Sequence, residues 1–251
     1  MPTVIKSLND ASGHPRAFYD QNTWETVARF QPCIVDEDFI GAGHSSIPAA
    51  GSPATGYPWV QKTVKTGGSP TVAVIANSAA GIVALALDAT SEKQEATLYA
   101  NDQRNWDVTK NVSFETRLAF SVLPTTLVEM VFGLQAAWID GPDNAAEYVR
   151  FQASASGLIN MQTFDGTTTT TGSSGMTLAA GAFHVFRIDC ASTTNIRFFV
   201  DGVEVSTTGQ FQFAATGANA VLQPYSSVYK ASGTGVGTMQ IDVIQAAADR
   251  V

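Results

Sequence analysis

Glu129 is the one acid set inside a strongly apolar run, Leu127-Val-Glu-Met-Val-Phe-Gly-Leu134, and that setting makes it a candidate catalytic acid. Hydrolysis of a glycosidic bond needs two carboxyls across a cleft, ~5–5.5 Å apart for retention and wider for inversion. On a single strand the two must alternate to share a face. Glu129 has no acid at such a position, so it reads as a solvent-facing or hydrogen-bonded strand residue. Nearby, Asp140-Gly-Pro-Asp-Asn144 with Glu147 clusters oxygen donors of the kind Ca²⁺ takes. The same residue types build ordinary turns, and a turn is the favoured reading. Trp138, beside that turn, could stack on a sugar ring. Trp24, Trp59 and Trp106 are equally available, and tryptophans in β-proteins usually serve the core.

Other chemistries find no footing. His14, His44 and His184 are isolated, and His184 alternates with Phe186 and Ile188, as a residue packed or hydrogen-bonded within a sheet would. There is no Gly-x-Ser-x-Gly elbow, no His/Cys/Asp cluster with metal-ligand spacing, and no glycine-rich phosphate loop with lysine. The residues thus assign no catalytic, cofactor-binding or metal-binding position, and the chain is expected not to be an enzyme.

Composition narrows the partners. Of 251 residues, 45% are hydrophobic and only 14% charged, against roughly 25% charged in ordinary domains. A net charge of −8, with Arg150, Arg187 and Arg197 spaced singly, excludes a phosphate-binding patch and so nucleic acid. Apolar runs such as Gly81–Leu87 fall far short of the ~20 residues of a spanning helix. The start, Met1-Pro-Thr-Val-Ile-Lys, is not the basic-then-apolar pattern of a secretory signal. Cys190 ends an alternating strand and reads as a small buried hydrophobe; its pairing with Cys33 is left open.

Residues 1–68 are irregular, with prolines at 2, 15, 32, 48, 53 and 58, and read as an extended arm with a short helix near Asn22–Phe30. Apolar Val4, Ile5, Phe18, Trp24, Phe30, Ile34, Phe39 and Trp59 suggest that the arm lies against another surface and serves attachment. Residues 69–251 read as strands at short intervals: an antiparallel two-sheet β-sandwich. The surest elements are Val112–Val122, Phe183–Cys190, and a hairpin turning at Asp201-Gly202, where a two-residue type I′ turn needs positive φ. Phe114, Leu118, Phe120, Ile188, Ile196, Phe198, Val200 and Ile241 are expected in the core, with Val122 on the same face. Gly166–Gly175 is expected to be an exposed loop or hairpin tip, and Gln210–Ala214 a strand.

Phe183-His-Val-Phe-Arg-Ile-Asp, Ile196-Arg-Phe-Phe-Val-Asp-Gly-Val-Glu-Val and the closing Met239-Gln-Ile-Asp-Val-Ile resemble the C-terminal half of concanavalin A-like (laminin-G-like) jelly rolls. The glucan-cleaving members carry Glu-x-Asp-x-x-Glu on one strand; here no Glu is followed two places later by Asp, so their acids have no counterpart. The texture of the whole chain is similar to virion proteins of tailed bacteriophages. That resemblance implies a non-enzymatic virion subunit, made in the host cytoplasm, most simply a capsid decoration protein. It would act as a homo-oligomer, such as a trimer, on the major capsid protein, without cofactor, nucleic acid or membrane. The alternatives are a glycan-binding module or tail-associated adhesin, and a glycoside hydrolase with atypical carboxylates.

Overall fold

A computed structural model describes residues 5–9, 15–20, 26–28, 33–40, 46–52, 58–78, 81–155 and 157–249. In chain order the strands are β1 (Ile5–Asn9), β2 (Pro15–Asp20), β3 (Thr26–Ala28), β4 (Cys33–Glu37), β5 (Val60–Lys65), β6 (Thr71–Val74), β7 (Val83–Leu87) and β8 (Gln94–Tyr99). They continue with β9 (Trp106–Asp107), β10 (Val112–Val122), β11 (Val128–Gln135), β12 (Tyr148–Ser154), β13 (Leu158–Phe164) and β14 (Thr169–Thr177). The last are β15 (Phe183–Cys190), β16 (Arg197–Val200), β17 (Val203–Glu204), β18 (Val221–Lys230) and β19 (Gly237–Ala248). Two antiparallel sheets form a sandwich: β17-β16-β15-β10-β19-β7-β6 with β4 on β19, and β14-β13-β12-β11-β18-β8-β5 with β9 on β18. The all-β, two-sheet reading is correct.

Alternation along each strand sends one set of side chains into the space between the sheets. From one sheet come Phe114, Leu118, Phe186, Ile188, Phe198, Val200, Met239 and Ile241; from the other, Met130, Phe132, Leu134, Val149, Phe151 and Ile159. The centre is aromatic. Phe132 stacks on Phe151 at 5.4 Å between ring centroids, and both meet Phe186 of the opposite sheet edge-to-face at 4.9 and 5.2 Å. All eight side chains expected in the core are buried. Val122 is not: the register against β19 shifts between Phe120 and Val122, which turns the strand end outward.

The Asp201-Gly202 turn has φ of 50° and 80°, as a type I′ hairpin requires. His184 Nδ1 lies 2.8 Å from Asp201 Oδ2, so this histidine fastens the hairpin to β15. Cys190 is a buried free thiol whose pKa burial drives far up, an inert hydrophobe.

Several expectations need correction. Thr26–Ala28 is a strand on β2, not helix; β-branched Thr26 and Val27 favour extended backbone. Thr169–Thr177 is the edge strand β14, with alternating exposure, because a run of threonines suits a pleated edge better than a loop. Gln210–Ala214 makes only a single bridge, Phe211 to Ile196. Cys33–Glu37 and Val60–Lys65 lie within the stretch assigned to the arm, yet they pair with β19 and β8, so the two sheets reach into residues 1–68. Trp24, His14 and His44 lie outside the described residues.

Replacing Phe151 by Ala, at the fully buried junction of the sheets, is expected to cost about 3–5 kcal/mol. Denaturant unfolding of the variant against wild type measures it.

Candidate functional site

Strand β11 lies between β12 and β18, with Met130, Phe132 and Leu134 turned inward. The pleat therefore presents Glu129, Val131, Gly133 and Gln135 on the outer face of the sheet. Gly133, at φ 151°, lies opposite Arg150; a Cβ there would come within 2.5 Å of Val149 O and 2.7 Å of Arg150 Cα. The close approach of β12 at this point needs a glycine.

The connection from β11 to β12 folds back over this outer face and is fastened by a buried carboxylate. Glu95, on β8, is fully buried. Its Oε1 accepts from Thr97 Oγ1 at 2.8 Å, Tyr225 OH at 3.1 Å, Trp138 Nε1 at 3.2 Å and Ser227 Oγ at 3.3 Å. Its Oε2 accepts from the Gly141 amide at 3.2 Å. Two of these donors belong to the connection itself. Lys62 Nζ stands 3.2 Å from the centroid of the Trp138 ring, and Lys93 forms an ion pair with Asp140. Trp138 is thus covered on one face and hydrogen-bonded, a fastening residue and not a free sugar platform. Trp59 and Trp106 are core residues.

So held, the connection brings Asp143 to Glu129. Asp143 is ion-paired with Nη2 of Arg150, a residue 1% exposed whose guanidinium also donates to Pro142 O and Gln162 Oε1, both at 2.9 Å. The guanidinium lies 3.8 Å above the Tyr148 ring. Glu129 Oε2 accepts from Gln152 Nε2 at 3.0 Å. Burial is the main cause that pushes the Glu129 carboxyl up to about 7, reinforced by the charge of Asp143 and a hydrogen bond to it; Arg150 and Gln152 pull the other way. The pair opens on a groove of about 450 Å³, also lined by Gly141, Asn144, Tyr229 and Ser232. A carboxyl that keeps its proton near neutrality, beside a carboxylate paired with a cation, is equipped for general acid–base chemistry.

The other acids of the sequence cluster disperse. Asp140 goes to Lys93, and Asn144 Nδ2 donates to Asp140 O at 2.8 Å, closing a turn. Among the described residues no group of three or more His, Cys, Asp or Glu could hold a metal. Gln152, Gln162 and Glu95 have no role in the sequence reading, and Arg150 counts there only as an isolated cation. The available signal was the alternation of long polar residues with apolar ones in Tyr148–Ser154 and Leu158–Phe164, which marks a polar outer face.

No protein-family model and no curated protein matches this chain. Its fold is similar to that of an endo-1,3-β-glucanase from Streptomyces sioyaensis (TM-score 0.57, 15% identity, covering 84% of this chain and 94% of that one). It is also similar to a Bacillus licheniformis β-glucanase (0.50, 11%, 85% and 97%) and to the carbohydrate recognition domain of Emp47p (0.51, 10%, 84% and 97%). The chain has the concanavalin A-like jelly-roll fold. The occurrence of glucanases among these neighbours overturns the expectation that the chain is not an enzyme. That expectation rested on the lack of a same-strand acid partner, whereas Asp143 reaches the groove beside Glu129 from a folded-back connection.

Because its folded pKa lies above the ordinary 4.5, Glu129 holds its proton more tightly folded than unfolded. Its contribution to stability is therefore full below about 4.5 and is lost as pH rises toward 7. Glu129→Gln should remove that loss, so the variant gains on wild type as pH rises through this window in parallel denaturant titrations.

Proposed function

We propose that the protein hydrolyses a glycan at the Glu129–Asp143 groove by general acid–base catalysis. The observation that supports this most is a carboxyl kept protonated near neutrality, in an open groove, beside a second carboxylate. In the free protein the two carboxyls line the same groove and feel each other's charge. An entering glycosidic oxygen takes the place of Asp143 at the Glu129 proton. Glu129 gives that proton to the departing oxygen as the C–O bond breaks. Asp143, on the connection and with its side chain 60% exposed, takes a proton from the water that adds to the anomeric carbon.

A panel of soluble β- and α-linked polysaccharides, assayed for new reducing ends between pH 4 and 9, tests the reading. Wild type should cleave at least one, with activity falling as pH rises past about 7. Glu129→Gln should lose at least ~10²-fold. Cleavage unaffected by Glu129→Gln would remove the proposal.

The closeness of the two carboxyls also favours a second reading, glycan binding without cleavage. Retention of a polysaccharide on immobilised wild type, with no reducing ends released, would select it.

We also propose a virion setting and self-association, supported by the sequence texture: low charge and a surface rich in Thr, Ser and Ala lower the desolvation cost of packing copies together. Light scattering should give a mass that is a multiple of 26.5 kDa. A monomer at every concentration would count against self-association.

A further inference from the structure

We propose that Arg150, Gln162 and Gln152 form a directional hydrogen-bond relay that places the acid proton of Glu129 on the oxygen facing away from Gln152, where it is available for transfer. The proposal rests on the reading of Glu129 as proton donor and goes beyond it, by naming positioning residues on two neighbouring strands.

The direction follows from chemistry that admits one arrangement. A guanidinium has only donors. Arg150 Nε points at the Gln162 side chain, 2.9 Å away, so the Gln162 carbonyl oxygen must face it and the Gln162 amide nitrogen must face elsewhere. That nitrogen lies 2.8 Å from Gln152 Oε1. Gln152 is turned in the same sense, and its Nε2 meets Glu129 Oε2 at 3.0 Å. The carbonyl oxygen of a carboxylic acid accepts better than its hydroxyl oxygen, so this N–H favours Oε2 as the carbonyl and the proton on Oε1.

Register makes the relay possible. Arg150 pairs across with Gln162, and Gln152 with Asn160 on one side and Val131 on the other. Arg150 and Gln152 share the outer face of β12, and Gln152 reaches Glu129 along the diagonal. The same guanidinium binds Asp143, so one buried cation sets both the donor at one oxygen of Glu129 and the carboxylate beside it. The charged or titratable groups that act on Glu129 or feel its charge are Asp143, Arg150, Tyr148 and Tyr229.

The test follows the side-chain carboxyl carbon of Glu129 through a pH titration by ¹³C NMR, its signal identified by loss in Glu129→Gln. Gln152→Leu removes the last donor and should raise the midpoint by roughly 0.5–1 pH unit. Gln162→Met keeps Gln152 but removes what orients it, and should raise the midpoint by a smaller amount. An unchanged or lowered midpoint in either variant would overturn the relay. Should Gln152→Leu not fold, Gln162→Met alone decides. The titration needs no substrate, so its result stands apart from the hydrolase reading: shifted midpoints without glycan cleavage would keep the relay and sink the hydrolase. Cleavage with unshifted midpoints would do the reverse.

Discussion

Phe132 touches aromatic rings of both sheets, with centroids 5.4 Å from Phe151 and 4.9 Å from Phe186. A slip of β11 by one residue would expel that ring from the core and turn Glu129 into it. Burial of Met130, Phe132 and Leu134 is worth several kcal/mol in total, at about 1.5–3 kcal/mol for each fully buried side chain. The apolar core therefore dictates where the acid stands. Nothing on the outer face could move Glu129 to a better place without first undoing the centre of the sandwich.

The outer face then faces an opposite problem, which is how to keep a polar surface dry enough to raise a carboxyl and still open to a ligand. The β11–β12 connection solves it by covering part of the sheet. Its hold depends on Glu95, whose five hydrogen bonds come from neutral groups on two strands and the connection. A buried carboxylate is tolerable when its lone pairs are filled in this way. Arg150 completes the arrangement from the other side. It is a buried cation whose contacts reach the connection at Pro142 and Asp143 and the sheet at Gln162. Glu129 is left where desolvation outweighs the pull of that cation.

Much of the fold was legible in the residues. Val112–Val122 and Phe183–Cys190 have the bounds that alternation assigns, and Asp201-Gly202 turns as its residue types require. These are local signals, and local signals survive folding. Glu129 also stood out, because one acid among apolar neighbours is visible without a partner. Its partner was not, since Asp143 belongs to a turn that only tertiary packing lays over the strand. Alternation along one strand cannot reveal it, and the expectation of no enzymatic activity rested on that alternation. Arg150 was passed over as an isolated cation because its importance lies in three contacts that only folding makes, one to the neighbouring strand at Gln162 and two to the connection at Pro142 and Asp143. The threonines of β14 and the strand Thr26–Ala28 were misread where turn and cap residues outvoted β-branched ones.

The account turns on a proton held by Glu129 through burial and the neighbouring Asp143. The most direct measurement is the titration midpoint of the Glu129 carboxyl in wild type and in Asp143→Asn, read by carboxyl ¹³C shifts. The account predicts a wild-type midpoint near 7 and a lower one in Asp143→Asn, where a like charge is lost and Arg150 is released to act on Glu129. A wild-type midpoint close to the ordinary 4.5, or one that Asp143→Asn leaves in place, would contradict it.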